Sequence, residues 1–348
     1  MPFIIMIPSI EWINNKVKMI DQTQLPYTLQ FLEFDNFRDV ANAIKIMNIR
    51  GAPAIGVAAA MGVALATIEY KELPKERFSE KIAEAATIIR KTRPTASNLF
   101  WAVDRVMKIV QTYPDNPTNI SNLVVEEAKI MAQEDINVNK RIGKNGAKLL
   151  EDGDVILTHC NAGSLATVQY GTALAPVRTA IEEGKKISVI ADETRPRLQG
   201  ARLTAFELQY DKIPVKVISD TSSGLLMRLG KVKKVIVGTD RVTSEAVFNK
   251  IGTYLVALAA NDNSIPFYVA APSSTLSLQE TIEDVTIEQR DSSEVSQILG
   301  KLQIVPDGVD CLNYAFDITP FRLVTAIITE DGVFSPEELL KKYKISSI

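Results

Sequence analysis

The sequence has little cysteine and almost no histidine. Its 348 residues include two cysteines, Cys160 and Cys311, and one histidine, His159. Two cysteines cannot build a disulfide scaffold, and one histidine cannot supply a metal cluster of the usual kind. We therefore expect a cytoplasmic protein that holds no metal ion.

An excess of charge of one sign is also missing. The 39 basic and 42 acidic residues leave a formal net charge of −3, so the overall balance does not indicate nucleic-acid binding. Any anion site must be local. Hydrophobic residues make up 46% of the chain and charged residues 23%, which is typical of globular proteins and argues against disorder, collagen or a coiled coil.

One uncharged run, from Gly51 to Ile68, approaches the length of a membrane span. It is dominated by alanine and glycine, contains Pro53, and lies between Arg50 and Glu69. We interpret it as a buried, closely packed helix and expect no membrane segment. The apolar start of the chain lacks the basic region and cleavage site of a signal peptide.

Nucleotide-binding motifs are absent too. No Gly-x-Gly-x-x-Gly pattern follows a strand pattern, and no Walker loop occurs. The sequence thus gives no usual support for a dinucleotide or a nucleoside triphosphate, and we expect no cofactor.

The first third of the chain is mainly helical in pattern. A strand-like segment covers residues 16–20, and apolar spacing then predicts helices over residues 37–47, 53–70, 80–91 and 97–111. Ser97 is the predicted N-cap of the last of these helices. A cluster of helix-breaking residues follows at 113–119. We predict a mainly helical domain of residues 1–130 with a small strand-like start, and a second domain of residues 131–348.

The second domain has the rhythm of a βαβ protein. Short runs rich in β-branched residues predict strands over residues 155–159, 187–191, 215–219, 235–237 and 267–270. Because these runs are mostly apolar and are separated by helical stretches, the predicted fold is α/β with a doubly wound, Rossmann-like parallel sheet. Each predicted strand ends in small or polar residues. Ligands of open α/β sheets bind at the carboxyl ends of the strands, so these ends mark one candidate site.

Cys160 closes the first of these strands. The Asn-Ala-Gly-Ser turn that follows is expected to open a helix, whose first amides would stabilise a thiolate. A buried structural cysteine is an equally weighted alternative. His159 should point to the opposite face of the strand, so a Cys-His dyad is not expected.

Asp240 ends another apolar strand, in the sequence Val-Ile-Val-Gly-Thr-Asp-Arg. A carboxyl held beside a core can stay protonated and act as a general acid. The alternatives, of equal weight, are a helix N-cap or a salt bridge with Arg241 or another basic residue.

Several segments offer groups that could bind phosphate. Arg50, Gly51 and Ala52 precede the apolar helix, where free amides and a guanidinium would meet. Arg93 and the pair 249–250 also stand near predicted helix starts. Residues 192–200, which include Gln199, crowd acidic, basic and amide groups onto one strand end. Each signal by itself is weak, since an exposed charge or a salt-bridged loop gives the same pattern.

Taken together, these segments resemble the 5-methylthioribose-1-phosphate isomerase family, which shares its fold with the alpha, beta and delta subunits of translation initiation factor 2B. The matching segments, in chain order, are residues 21–23, 25–26, 49–56, 93–95, 98–99, 158–163, 193–196, 199–204, 238–241, 249–254 and 313–320. They span nearly the whole chain. The early Asp-Gln-Thr segment and the full length favour the isomerase branch.

The resemblance implies an aldose-ketose isomerase of methionine salvage that converts 5-methylthioribose 1-phosphate to 5-methylthioribulose 1-phosphate without metal or cofactor. Asp240 would protonate the ring oxygen, and Cys160 would assist the transfer of hydrogen from C2 to C1. The resemblance also implies a homodimer, a phosphosugar as the small-molecule partner, and a set of substrate-binding residues: Arg50, Gly51, Ala52, Arg93, Gln199, Asn249 and Lys250.

Two segments depart from the family pattern. Residues 243–248 are one residue shorter and lack an Asn-Gly pair, and residues 220–224 are less polar than usual. Two alternatives therefore stay open. One is ribose 1,5-bisphosphate isomerase, whose substrate carries a second phosphate. The other is a non-catalytic binding protein like the translation factor subunits.

Overall fold

The structure is a computed structural model that describes residues 4, 6–94 and 96–344, so Thr95 and part of the apolar start lie outside it. The chain forms two compact units. The helical unit consists of Met6–Val138 and Ser164–Gly171. The sheet unit consists, among the described residues, of residue 4, Asn139–Gly163 and residues 172–344. The division falls within a long helix, in which the expected boundary after residue 130 also lies.

The helical unit begins with a small antiparallel sheet. Its strands are β1 (Ile10–Ile13), β2 (Lys16–Ile20) and β3 (Phe31–Phe34), in the order β1-β2-β3. The helices that follow are α1 (Phe37–Lys45), α2 (Ala52–Tyr70), α3 (Lys75–Arg90), α4 (Ser97–Thr112) and α5 (Pro117–Ala147), which continues into the sheet unit. The predicted strand at 16–20 and the four predicted helices are confirmed, although α3 begins earlier than expected.

Helix α2 lies at the centre of this unit's core. All of its residues from 54 to 67 are buried, so the helix is apolar on every side. Its small residues allow neighbouring helices to approach closely. A Cβ on Gly56 would lie 3.0 Å from the Asn98 carbonyl oxygen, and one on Gly62 would lie 3.1 Å from Ile89 Cδ1. Within the described residues, only α2 has the length and composition of a membrane span. Its burial confirms the predicted core helix.

The start of α4 corrects one expectation. Ala96 is the N-cap residue, and its own side chain makes no capping hydrogen bond. Ser97 is already the first helical residue, so its predicted capping role is wrong. A serine caps a helix only when its own backbone stays outside the helical conformation.

The sheet unit contains the remaining elements. Its strands are β4 (Val155–Thr158), β5 (Ser188–Asp192), β6 (Val215–Ile218), β7 (Lys234–Val237), β8 (Arg241–Val242), β9 (Ala246–Lys250), β10 (Phe267–Ala270), β11 (Gln297–Ile298), β12 (Leu302–Gln303), β13 (Phe316–Pro320), β14 (Ala326–Thr329) and β15 (Gly332–Phe334). Its helices are α6 (Ala175–Glu182), α7 (Ala205–Tyr210), α8 (Ser223–Arg228), α9 (Thr253–Asp262), α10 (Ser293–Ser296) and α11 (Pro336–Lys344).

Among the described residues, seven strands form the main sheet, in the order β15-β14-β10-β7-β4-β5-β6. Every neighbouring pair is parallel except β14 with the edge strand β15. All five predicted strands are confirmed to within a residue or two, and so is the α/β class. Strands β14 and β15 complete the sheet and were not predicted. Strands β8, β9 and β13, which all come after β7 in the chain, form a separate sheet in the order β13-β9-β8.

The strand order determines where the candidate site lies in the sheet. From β4 the chain moves to β5 and β6 on one side, and then returns to β7 on the other side of β4. The order reverses between β4 and β7. A crevice forms at such a switch point beyond the carboxyl ends of the strands, because the connections leave in opposite directions. Cys160 follows β4 and Asp240 follows β7.

Candidate active site

Cys160 is buried at the end of β4, with 9% of its surface exposed. Its backbone is left-handed, with φ at +66°, which is uncommon for a residue with a Cβ. Its amide donates a hydrogen bond to Thr194 Oγ1 at 2.9 Å, and its carbonyl accepts one from Thr204 Oγ1 at 2.8 Å. Two other segments of the sheet unit thus hold the backbone on both sides of the thiol.

The chain after Cys160 does not open a long helix. Ser164–Ala166 forms a three-residue 3-10 helix, and the next α-helix, α6, begins only at Ala175. The turn thus opens only a single 3-10 turn, which is much shorter than the helix whose first amides were expected to stabilise a thiolate. The left-handed turn at Cys160 redirects the chain, and the local sequence pattern did not reveal that turn.

His159 does not pair with Cys160. Its Nδ1 lies 2.9 Å from Asp192 Oδ2, and its Nε2 donates to the Ile251 carbonyl at 2.8 Å. Ser223 Oγ donates to the second oxygen of Asp192. Burial by itself lowers the pKa of His159, but the hydrogen bond and the charge of Asp192 outweigh it and raise that pKa. The buried pair ties β4 to β5 and to the loop that follows β9.

The pair belongs to a cluster that sequence reasoning missed. The ligand atoms of His159, Asp192 and Asp220 lie within 4.8 Å of one another. Asp220 accepts hydrogen bonds from the backbone amides of Thr194 and Arg195, at 2.6 and 2.7 Å. These contacts hold the strand ends together. The sequence did show polar residues at the ends of β4 and β5, which could have pointed to this cluster. Which of these residues meet depends on the strand order.

Asp240 differs from its expected setting. Its side chain is exposed rather than held against the core. Its amide donates to the Phe248 carbonyl at 2.9 Å, and the chain continues into β8. The N-cap alternative is therefore wrong, because a strand follows and not a helix. The neighbouring Arg241 forms an ion pair with Glu280 at 2.7 Å. The burial that was expected to keep this carboxyl protonated is therefore not found.

The loops that carry Cys160 and Asp240 approach each other closely. A Cβ on Gly238, two residues before Asp240, would lie 2.5 Å from the Cβ of Ala162. Only a glycine fits at this contact. Because β4 and β7 are parallel neighbours, the thiol and the carboxyl stand on adjacent strand ends. The site predicted at these strand ends stays a prediction.

Asn249 and Lys250 end β9 and are each 5% exposed. Lys250 Nζ donates to the Ala315 carbonyl at 2.7 Å and lies 4.7 Å from the centre of the Phe316 ring. Asn249 Nδ2 donates to Thr253 Oγ1, in the first turn of α9, at 3.0 Å. Burial of a lysine costs free energy unless its ammonium group has hydrogen-bonding or charged partners. Because both residues are buried, the alternative of an ordinary exposed charge is wrong here.

Gln199 is also buried, with 6% of its surface exposed. Its Oε1 accepts no hydrogen bond from any residue that the structure describes. A buried amide oxygen without a donor costs free energy, so it marks a place where a ligand hydroxyl or amine would be stabilising. The loop before it is partly salt-bridged, since Arg197 pairs with Glu294.

The other predicted binding residues lie in the helical unit. Gly51 is the N-cap of α2 with φ at +93°, and a Cβ there would lie 2.2 Å from the Ala166 carbonyl oxygen. Ala52 is the first helical residue, so its amide belongs to the helix N-terminus, where anions bind. Arg50 and Arg93 are half-buried. The glycine at 51 is required both by its left-handed backbone and by the close approach of Ala166.

The fold is that of an α/β protein with a candidate small-molecule site at the carboxyl ends of an open sheet. A family model described as the initiation factor 2 subunit family matches residues 48–336. The chain belongs to this family.

Comparison with individual proteins gives nearly full-length matches. A methylthioribose-1-phosphate isomerase from Thermosipho africanus is 52% identical over 338 residues, which cover 96% of this chain and 97% of the relative. A crystal structure of 5-methylthioribose 1-phosphate isomerase from Pyrococcus horikoshii has a TM-score of 0.92 at 42% identity and covers 97% of this chain and 96% of its own. A crystal structure of translation initiation factor eIF-2B, subunit delta, from A. fulgidus has a TM-score of 0.90 at 47% identity, with 97% and 99% covered.

Proposed function

We propose that the protein is an aldose-ketose isomerase that converts 5-methylthioribose 1-phosphate to 5-methylthioribulose 1-phosphate, a step of methionine salvage. The observation that carries the proposal is the placement of Cys160 and Asp240 on adjacent strand ends at the switch point of the sheet. It occurs in a chain that is about half identical, over nearly its full length, to proteins named for this reaction.

The reaction requires an acid that protonates the ring oxygen and a second group that assists the transfer of hydrogen from C2 to C1. A phosphate on the C1 oxygen prevents the spontaneous ring opening of a free sugar. Asp240 donates a proton to the ring oxygen as the bond from that oxygen to C1 breaks. Hydrogen moves from C2 to C1 with the assistance of Cys160, and the C2 hydroxyl loses its proton as the ketone forms. The proton count is then restored, and the exposed Asp240 carboxyl regains its proton from solvent.

Gln199, Asn249 and Lys250 are proposed to bind the sugar phosphate. The unused Oε1 of Gln199 would accept a hydrogen bond from a substrate hydroxyl. Lys250 supplies a buried positive charge, whose attraction for a phosphate is stronger than that of an exposed lysine.

In the helical unit, Arg50, Gly51, Ala52 and Arg93 are proposed to bind phosphate. The amides at the N-terminus of α2 carry partial positive charge, and Gly51 lets the backbone approach an anion closely. The two arginines would add charge-assisted hydrogen bonds.

The test is turnover of the purified protein on 5-methylthioribose 1-phosphate and, separately, on ribose 1,5-bisphosphate, with ketose formation measured and no metal or nucleotide added. We expect the first sugar to be preferred. Cys160→Ser and Asp240→Asn should each lower kcat at least about a hundredfold, the usual effect of losing an acid, a base or an electrostatic group. Cys311→Ser, a matched change outside the site, should leave kcat unchanged. Near-wild-type rates for the first two variants would refute their assigned roles.

A second candidate is a non-catalytic binding role, as in the translation factor subunits. The likeness to the crystal structure described as an initiation factor subunit favours it. Folded protein that turns over neither sugar would support this candidate and exclude the isomerase.

We further propose that the protein is a cytoplasmic homodimer. Light scattering of the purified protein should then give twice the chain mass of 38.3 kDa. A mass of one chain would contradict the dimer.

A further inference from the structure

The backbone of Cys160 has to be held in place. Its φ of +66° lies in the left-handed region, which costs free energy for any residue with a Cβ. Such a conformation persists only where the surroundings fix it. The direction of the thiol follows from this conformation, because the Cβ and Sγ would point elsewhere if the residue returned to negative φ.

Two threonine hydroxyls form hydrogen bonds with the backbone of Cys160. Thr194 Oγ1 accepts the amide proton of Cys160 at 2.9 Å, and Thr204 Oγ1 donates to its carbonyl at 2.8 Å. Thr194 is fully buried and Thr204 is 1% exposed, so water does not compete for these contacts. Both residues belong to the sequence segments that match the family, yet the proposed mechanism gives neither of them a role.

Thr194 is itself anchored on both sides. Its hydroxyl donates to the Asp192 carbonyl at 3.1 Å, so the hydroxyl bridges the end of β5 to the amide of Cys160 at the end of β4. Its amide donates to Asp220 Oδ1 at 2.6 Å. The hydroxyl that accepts from Cys160 is therefore also bonded to the end of β5, and the backbone of Thr194 is bonded to Asp220.

We propose that Thr194 is a positioning residue for the Cys160 thiol: its hydroxyl holds the left-handed turn and so aims the sulfur. The proposal rests on the catalytic role proposed for Cys160. It assigns to Thr194 no contact with substrate. Loss of the hydroxyl should misplace the sulfur, and misplacement by about 1 Å lowers the rate about 100-fold in well-ordered active sites.

The test compares three variants. Thr194→Val removes the hydroxyl at nearly constant shape, and Thr194→Ser keeps it. The control is Thr319→Val, because Thr319 is also fully buried in the sheet unit but its hydroxyl has no partner among the described residues. We expect Thr194→Val to lower kcat about 10- to 100-fold with little change in KM, because binding groups stay in place. Thr194→Ser should restore most of kcat, and Thr319→Val should leave it unchanged.

A second measurement does not depend on turnover. The native protein is treated with iodoacetamide, and alkylation of Cys160 is measured by peptide mass spectrometry against Cys311 in the same sample. In the wild-type structure Cys160 is only 9% exposed. We expect Thr194→Val to speed alkylation of Cys160 relative to Cys311, because release of the turn should expose the thiol further. Thr194→Ser should retain the wild-type ratio.

The outcomes separate this proposal from the proposed function. If Cys160→Ser keeps full turnover, the catalytic role of Cys160 fails, and the alkylation ratio still tests the positioning role by itself. An unchanged ratio in Thr194→Val overturns the positioning role. If Cys160→Ser does lose turnover, a folded Thr194→Val protein with wild-type kcat also overturns the positioning role, as does a loss of kcat that Thr319→Val shares.

Discussion

Removal of the Arg178 guanidinium should strongly destabilise the sheet unit. Arg178, on α6, is fully buried, and its Nη2 lies 2.7 Å from Glu207 Oε2 and 2.6 Å from Asp211 Oδ2. Glu207 also accepts a hydrogen bond from Asn161 Nδ2, one residue beyond Cys160. The guanidinium thus compensates two buried carboxylates beneath the candidate site.

The expected loss follows from that burial. The side chains of Glu207 and Asp211 are 4% and 2% exposed, so Arg178→Met leaves both carboxylates buried without their counter-ion. Breaking a buried pair in this way costs about 3 to 5 kcal/mol of unfolding free energy. For a unit of this size, that loss lowers Tm by roughly 6 to 20 °C.

The loss should also depend on pH. Burial raises the pKa of Asp211 from 3.8 to about 6, although Arg178 opposes the rise. Because the folded state binds this proton more tightly than the unfolded state, stability falls as pH rises from 3.8 through about 6. Without Arg178 the pKa rises further, so the decline continues to higher pH. The deficit of Arg178→Met relative to wild type should therefore be larger at pH 8 than at pH 5.

The assay is urea unfolding followed by circular dichroism at both pH values. Lys341→Met is the control, because it removes a cation from an exposed ion pair with Glu337, which contributes little. Adding Glu207→Gln and Asp211→Asn to Arg178→Met should recover much of the stability, since no buried charge then remains. A loss no larger than that of Lys341→Met, or a deficit independent of pH, would refute the reasoning.

Two further predictions concern stability. Gly51→Ala should destabilise the protein by more than Gly153→Ala, as measured by urea unfolding: both glycines have positive φ, but only at 51 would the Cβ meet backbone, 2.2 Å from the Ala166 oxygen. Equal losses would show that the contact relaxes at no cost. Burial raises the pKa of Asp317 to about 6, so the folded state loses stability as this carboxyl ionises. Between pH 4 and pH 7 the free energy of unfolding of the wild type should therefore fall by roughly 2 to 3 kcal/mol relative to Asp317→Asn. Parallel curves of stability against pH for the two proteins would contradict this.

Much of the fold could be predicted because its signals are local. The runs rich in β-branched residues become β4, β5, β6, β7 and β10 as predicted, and the alanine-rich pattern of α2 becomes a helix that is buried on all sides. The short strands β14 and β15 escaped prediction, since a four-residue apolar run looks the same in a strand and in a buried helix.

The candidate site was predictable only in part. The sequence marked Cys160 and Asp240 as groups at strand ends, and the strand order brings those ends together. It did not reveal the left-handed backbone of Cys160 or the exposure of Asp240. Both features depend on the path of the chain after the strand. The Cys160 amide is bonded to Thr194, and the Asp240 amide is bonded to Phe248 in β9, and both partners lie outside the local sequence pattern.

The element types, the apolar core helix and the residues able to do chemistry follow from the sequence alone, because each depends on residues close together in the chain. Which of these residues meet depends on tertiary contacts. Arg178 and Glu207, or His159 and Asp192, are separated by about thirty residues and come together through strand pairing and helix packing. Their hydrogen bonds depend on distances of tenths of an ångström, which no periodicity encodes.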